Sequence, residues 1–408
     1  MAKINPHYSK LGAGYLFPEI ARRTRSFLSE HPDTTVMRLG IGDTTEAIPG
    51  PILEGIREAT DKLGNPTTYS GYGDSEGQMP LREALSNYYH GFGVDVPAGD
   101  IWVSDGAKSD SANIQSIFAT DNVVAVQDPA YPVYVDSHVM SGRTGPAVNG
   151  CYEGLVYMPC TEDNGFFPEL PDRKVDLIYI CSPNNPTGAV ATHEQLKMFV
   201  DYAIENRAII LFDSAYAAFI QDDTLPRSIY AIEGARTCAI EISSFSKYAG
   251  FTGVRLGWTI VPEELVAEGT SPGEVKALWT RRQNTFFNGA SNVVQGGGLA
   301  ALSDEGLAAC RMLITYYMEN AAIIQEGLDR VGITTFGGKN APYVWMKTPD
   351  GLDSWTFFDK LLGECHVVGT PGAGFGPSGE GYFRLSAFGH RDHVNTAVAS
   401  ITSNLKPG

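Results

Sequence analysis

Long apolar runs are missing from this 408-residue chain. None approaches the about twenty residues that a helix needs to cross a bilayer, so no membrane partner is expected. Positive charge is scarce: 30 Lys and Arg stand against 47 Asp and Glu, a net charge of −17. A nucleic-acid partner would require a basic patch, and none is indicated. Paired cysteines are missing as well. Six lie singly at 151, 160, 181, 238, 310 and 365 with no C-x-x-C, which argues against a zinc ribbon or a disulfide framework. The first residues lack the apolar core and cleavage site of a secretory signal, and no plastid transit segment is visible. What remains is the profile of an acidic, cytoplasmic, enzyme-sized protein. With 43% hydrophobic residues it has material for a large core and two domains.

From about residue 100 to 262, short apolar runs alternate with amphipathic stretches. "IWV", "VVAVQ", "DLIYIC", "AIILF", "CAIEI" and "GWTIV" read as buried strands. Between two of them, Thr192 and Gln195 form a capping-box signature. Leu196, Phe199, Val200, Ala203 and Ile204 follow as a helical stripe. Strand, helix, strand implies a βαβ unit, and so an α/β domain with a mostly parallel central sheet flanked by helices. The last hundred residues begin with a long helical pattern over 306–332 and continue as a smaller α+β unit. Residues 1–47 read as an N-terminal arm and part of the small domain, 48–297 as the large domain, and 298–408 as the small C-terminal domain.

In open parallel sheets, ligands bind beyond the carboxyl ends of the strands. After "IWV" comes a turn through Gly106 and Ala107 that opens a helix, where free backbone N–H groups suit an anion. The next strands lead to Tyr131, to "SPNNPTG" with Asn185, to Asp213 with Tyr216, and to Ser244, Ser246 and Lys247. Each has an ordinary reading: a strand-end Asp caps a helix, a proline-rich run is a turn, a lysine is solvated. Their conjunction on one rim points to a site.

That set fits pyridoxal 5'-phosphate. Lys247 would supply the amine that forms a Schiff base with its aldehyde. Gly106, Ala107, Ser244, Ser246 and Arg255 would hold the phosphate. Asp213 would keep the pyridine nitrogen protonated. Asn185 and Tyr216 would donate to the phenolic oxygen, and Tyr131 would stack on the ring. Two other motifs carry less. "GFGPSG" at 374–379 matches G-x-G-x-x-G, but it holds Pro377 and leads into a strand-like run, so it reads as a turn. "HRDH" at 390–393 lacks a third ligand, so no metal is expected there.

"SPNNPTG", "FDSAY" and "SSFSKYAGFTGVRLGW" resemble fold-type I pyridoxal-phosphate aminotransferases. "AGYLFPEIARR", "RLGIGD", "DGAKSD", "DPAYPVYVDS", "FNGAS", "GGKNAPYVW" and "GTPGAGFGPSGEGYFRLSAFGHR" narrow the resemblance to the LL-diaminopimelate aminotransferase family. The match spans about residues 13 to 391, nearly the whole chain. It implies a homodimer with shared active sites and small amino-acid and oxo-acid substrates. The implied reaction interconverts tetrahydrodipicolinate plus glutamate with LL-diaminopimelate plus 2-oxoglutarate, in lysine and cell-wall precursor synthesis. It implies catalytic roles for Lys247, Asp213 and Tyr216, and an α-carboxylate clamp at Arg384. Tyr15, Gly42, Lys108, Asn288, Tyr131 and Asn185 are implied contacts to substrate or cofactor, and Tyr72 reaches the phosphate from the neighbouring subunit.

One stretch departs from the family pattern "GYG-x-E". This chain reads "GYGDSEG", with Ser75 at the glutamate position and Glu76 one residue later. The resemblance assigns that glutamate to the substrate's distal ammonium, from across the dimer interface. Glu76, reached by a shift of the Gly-rich loop, is the expected replacement. Asp74, Ser75 with weaker recognition, or a different substrate are the alternatives, and Glu76 could simply face solvent near a helix start. Three rivals remain in view: an aspartate or aromatic aminotransferase, a lyase or decarboxylase on the same fold, and a non-enzymatic cofactor-binding regulator. The last would bring a basic DNA-binding module, which this chain lacks.

Overall fold

The computed structural model describes residues 1–11 and 16–405. Seven apolar runs form the central sheet: β1 (Ile101–Ser104), β2 (Val124–Asp128), β3 (Leu155–Pro159), β4 (Leu177–Cys181), β5 (Ile209–Asp213), β6 (Ala239–Ser244) and β7 (Gly257–Ile260). Their order is β1-β7-β6-β5-β4-β2-β3. Every neighbouring pair is parallel except those involving β7, which runs antiparallel to both β1 and β6.

The strands are buried on both faces, and their alternation sorts the side chains. Ile178, Ile180, Ile210 and Phe212 pack against Leu196, Phe199 and Val200 of the helix His193–Asn206. Leu177, Tyr179, Ile209, Leu211, Ile240 and Ile242 face the other way, toward Trp102, Ile114, Tyr134 and Trp279. The helix starts where the sequence predicts. Gln195 N–H donates to Thr192 Oγ1 at 3.2 Å, and Thr192 N–H donates to Gln195 Oε1 at 2.9 Å. One stripe position differs: Ile204 is 47% exposed. The helix has turned that residue to the rim of its apolar face, where it covers Gly234 rather than entering the core.

A second, antiparallel sheet follows: β8 (Thr335–Gly337), β9 (Tyr343–Lys347), β10 (Thr370–Pro371) and β11 (Tyr382–Ser386), in the order β8-β9-β11-β10. The 27-residue helix Asp304–Arg330 links the two cores. Cys310, Leu313, Ile314 and Tyr317 join the cluster around Phe245 and Trp258, while Ala321, Ile324 and Leu328 join the one around Trp345 and Phe383. The N-terminal stretch also packs on this second sheet. Met37–Arg38 pairs in parallel with Val367–Val368, and the Leu39 carbonyl accepts from Ser386 N–H at 2.6 Å. This delivers Gly40 to Gly42 beside Arg384. The "GFGPSG" stretch forms short turns, Gly372–Phe375 and Pro377–Gly379, that lead into β11, and it opens no dinucleotide-binding helix. Among the described residues, no helix is long and apolar enough to cross a membrane.

Candidate active site

The parallel strands β1, β2, β4, β5 and β6 end on one rim. Because β7 runs against them, it begins on that same rim, just after Arg255. A cavity of about 510 Å³ opens there. Of the residues expected at a site, Gly42, Ala107, Lys108, Tyr131, Asn185, Asp213, Tyr216, Ser244, Ser246, Lys247, Arg255 and Arg384 line it.

One wall gathers donors for an anion. Ser244 caps the short helix Phe245–Tyr248 by accepting from Ser246 N–H at 3.0 Å, and its hydroxyl donates to Ser246 Oγ at 2.8 Å. Arg255 Nη1 donates to Ser246 Oγ at 3.2 Å. Arg255 holds φ at +71°, a conformation that a side-chain-bearing residue adopts only under local constraint. Gly106 stands opposite with φ +133°; a Cβ there would run into the Arg255 guanidinium. Two hydroxyls and a guanidinium beside a helix start form the donor set a phosphate takes.

Another wall carries Asp213, 8% exposed. Tyr134 Oη donates to its Oδ2 at 2.7 Å, and Ala215 N–H donates to its Oδ1 at 2.9 Å. Burial pushes this carboxyl above the usual carboxylate range, while the two donors pull it down. A cation arriving at its free lone pairs would restore the charged form.

Lys247 points across the cavity, donating to the Gly42 carbonyl. Its ammonium is disfavoured chiefly by burial. Asp43 opposes that shift, Arg384 and Arg255 add to it, and the pKa falls to about 8. Below this value the amine carries a proton and has no lone pair to attack with. Reductive labelling of Lys247 by an aldehyde reagent, followed by peptide mapping, should therefore rise through pH 8 and level off. Surface lysines should keep gaining to about pH 10. A Lys247 profile matching the surface lysines would remove this reading.

The floor is built by Arg384, 1% exposed on β11. Its Nη1 donates to Asn185 Oδ1 at 2.6 Å, and its Nη2 donates to the Gly40 carbonyl at 2.7 Å. Its guanidinium carbon lies 4.4 Å from the Tyr343 ring centroid and 4.9 Å from that of Phe375. Among the described residues its Nε has no hydrogen-bond partner. A buried unpaired donor costs about 1–3 kcal/mol, and an incoming carboxylate would satisfy it. Lys108 also lines the cavity, its Nζ 6.0 Å from the Tyr131 ring centroid.

Other expected residues lie elsewhere in this single chain. Tyr72 is 90% exposed, Asn288 is exposed, and neither lines the cavity. Glu76 lies 3.9 Å from Arg82, its backbone carbonyl accepts from Val103 N–H, and it too is off the cavity. Ser75 Oγ is hydrogen-bonded to Asn284 Oδ1. Tyr15 lies outside the described residues. Sequence reasoning missed Tyr134, which lies three residues after Tyr131 on the helix Val133–Met140, and it missed Asp43 and Tyr343.

A family model of the aminotransferases of class I and II matches residues 34–401. The chain is similar to the L,L-diaminopimelate aminotransferase of Chlamydomonas reinhardtii, at 47% identity over 98% of both chains and a TM-score of 0.93. It is also similar to an aromatic aminotransferase of Pyrococcus horikoshii, at 26% identity over 93% of this chain and 97% of that one, TM-score 0.78. A mutant aspartate aminotransferase of Thermus thermophilus, 20% identical over 98% and 99%, shares the fold with a TM-score of 0.82.

Proposed function

The chain belongs to the class I and II aminotransferases, and we propose that it uses pyridoxal phosphate to interconvert tetrahydrodipicolinate plus glutamate with LL-diaminopimelate plus 2-oxoglutarate. The observation that carries the substrate is the 47% identity, over 98% of both chains, to an enzyme of that name. The cavity's chemistry suits the cofactor: an amine of lowered basicity, a buried carboxylate, and a hydroxyl–guanidinium cluster.

When bound, the cofactor supplies an electron sink for charge developing at the substrate's α-carbon. The chain's own residues do the rest. Ser244, Ser246 and Arg255 would hold the cofactor's phosphate, and Asp213 would hold the proton on its pyridine nitrogen. Tyr216 and Asn185 would donate to its phenolic oxygen, and Tyr131 would pack against it. Lys247, with a pKa of about 8, is deprotonated often enough near neutrality to take the α-proton and protonated often enough to return it. One site serving two half-reactions implies ping-pong kinetics. In the proposed homodimer, Tyr72 reaches the phosphate of the neighbouring copy, Asn288 contacts substrate or cofactor, and Glu76 faces the substrate's distal ammonium.

Arg384 and Lys108 divide the substrate's charged ends in this reading. Replacing Arg384 by alanine removes a guanidinium that would bind the carboxylate common to all amino acids. kcat/KM should fall about a hundredfold or more for every substrate. Lys108→Ala should impair diaminopimelate more than glutamate; equal losses would place Lys108 on the cofactor instead. Glu76→Gln should reduce diaminopimelate turnover relative to glutamate, whereas an unchanged preference, with losses in Asp74→Asn, would move the ammonium contact to Asp74.

The function itself is tested by following glutamate formation from 2-oxoglutarate with each amino donor in turn. LL-diaminopimelate should give the highest kcat/KM. A clear preference for aspartate or an aromatic amino acid would overturn the assigned substrate while leaving the family untouched.

A further inference from the structure

Four side chains close a ring of contacts at the cavity floor. Arg384 Nη1 donates to Asn185 Oδ1 at 2.6 Å, and Asn185 Nδ2 reaches Tyr216 Oη at 3.5 Å. The hydroxyls of Tyr216 and Tyr343 share a hydrogen bond of 2.7 Å. The Tyr343 ring returns to the start, its centroid 4.4 Å from the Arg384 guanidinium carbon. Three members have a place in the reading above; Tyr343 has none.

Its position is set by the second sheet. Tyr343 opens β9 opposite Ser386 on β11, which makes Arg384 its diagonal cross-strand neighbour. The side chain is 1% exposed, and its ring meets that of Tyr216 edge-on with centroids 5.2 Å apart. The hydroxyl also packs so closely on Gly42 that a Cβ there would collide with it, and that same Cβ would lie 3.8 Å from Lys247 Nζ. Tyr343 therefore touches the guanidinium, the Tyr216 phenol and the loop glycine, Gly42, whose carbonyl receives the lysine.

We propose that Tyr343 is a positioning residue: its ring seats the Arg384 guanidinium, and its hydroxyl donates to Tyr216 Oη so that Tyr216 aims its own proton into the cavity. A phenol has one proton to donate. If Tyr343 gives its proton to Tyr216, and Asn185 Nδ2 approaches the same oxygen, Tyr216 is left to donate outward. A donor that also accepts is strengthened by cooperativity. The ring's face, meanwhile, is an electron-rich seat for a desolvated guanidinium. One residue would thus couple carboxylate recognition to the hydrogen bond on the cofactor's phenolic oxygen. The inference rests on the proposed aminotransferase reading of this cavity.

The ring and the hydroxyl are separable by substitution. In the full-length holoenzyme, Tyr343→Phe keeps the ring, and Tyr343→Leu removes both. Wild type must first bind pyridoxal phosphate and transaminate; failure there would overturn the functional reading rather than this one. Tyr343→Phe should raise the pH midpoint of the bound cofactor's absorption change by about half a unit or more, because the phenolic oxygen loses support for its charge. It should lower kcat about fivefold to tenfold while KM for the amino acid stays within about twofold. Tyr343→Leu should also raise KM about tenfold for amino acid and oxo acid alike. A Tyr343→Phe enzyme with wild-type midpoint and kcat would overturn the proposal, as would one in which KM rises with no shift of the midpoint. If Tyr343→Leu does not melt cooperatively, the midpoint of Tyr343→Phe decides alone.

Discussion

Lys247→Ala should abolish turnover while leaving a folded protein that still binds pyridoxal phosphate. The wall of Ser244, Ser246 and Arg255 proposed to hold the phosphate is built from side-chain and backbone bonds that do not involve the lysine amine, so capture of the phosphate should survive. The amine, however, would be both the nucleophile for the aldehyde and the base for the α-proton. Losing these roles together should cost about four orders of magnitude in kcat or more. Borohydride reduction of the wild-type holoenzyme should fix the cofactor on Lys247, and the alanine variant should not be labelled at any lysine. Turnover within about a hundredfold of wild type would require another base and would contradict the role given to Lys247.

The second large effect falls on Asp213→Asn. The substitution keeps size and shape and removes the charge. The asparagine amide can still meet Tyr134 Oη and Ala215 N–H, which now hold the carboxylate at 2.7 and 2.9 Å. It cannot hold a proton on a pyridine nitrogen by charge pairing. Proton abstraction from the α-carbon should slow by about a thousandfold, equivalent to about 4 kcal/mol of transition-state stabilisation. Single-turnover kinetics with glutamate isolates this step from product release. Near-normal rates, with the thermal midpoint unchanged, would take the role away from Asp213.

The parts of the site that the sequence discloses share a physical reason. A parallel sheet places its chemistry just past the carboxyl end of each strand, so Tyr131, Asn185, Asp213, Tyr216 and Lys247 stand within a few residues of a readable apolar run. Arg255 reaches the same rim for a reason only the structure gives: β7 is antiparallel and starts just after it. Tyr343 could not be found this way. It reaches the cavity through the register of a different sheet, and nothing in "APYVW" signals which neighbour that register supplies. Tyr134 had a usable signal, one helical turn after Tyr131, but its partnership with Asp213 depends on the β2 and β5 ends being brought together by the fold. Asp43 acts on Lys247 through a loop that pairs with no strand of the large sheet. Ile204 was misread because a helical stripe gives the apolar face but not where the covering surface stops. Tyr72 and Asn288 come from the resemblance and Glu76 from the departure at Ser75, and none of the three lines this chain's own cavity; the resemblance places Tyr72 at the site of a neighbouring copy.

In the proposed reading, one cavity exchanges an amino group with a substrate charged at both ends, through Lys247. The most direct measurement is the single-turnover conversion of the bound cofactor to its amine form, followed by absorbance as LL-diaminopimelate, glutamate, aspartate and phenylalanine are mixed one at a time with the holoenzyme. Conversion should be fast with LL-diaminopimelate and glutamate, slow with aspartate and phenylalanine, and absent with any of them in Lys247→Ala. Conversion by phenylalanine or aspartate at the rate of LL-diaminopimelate, or any conversion in Lys247→Ala at wild-type speed, would contradict that reading.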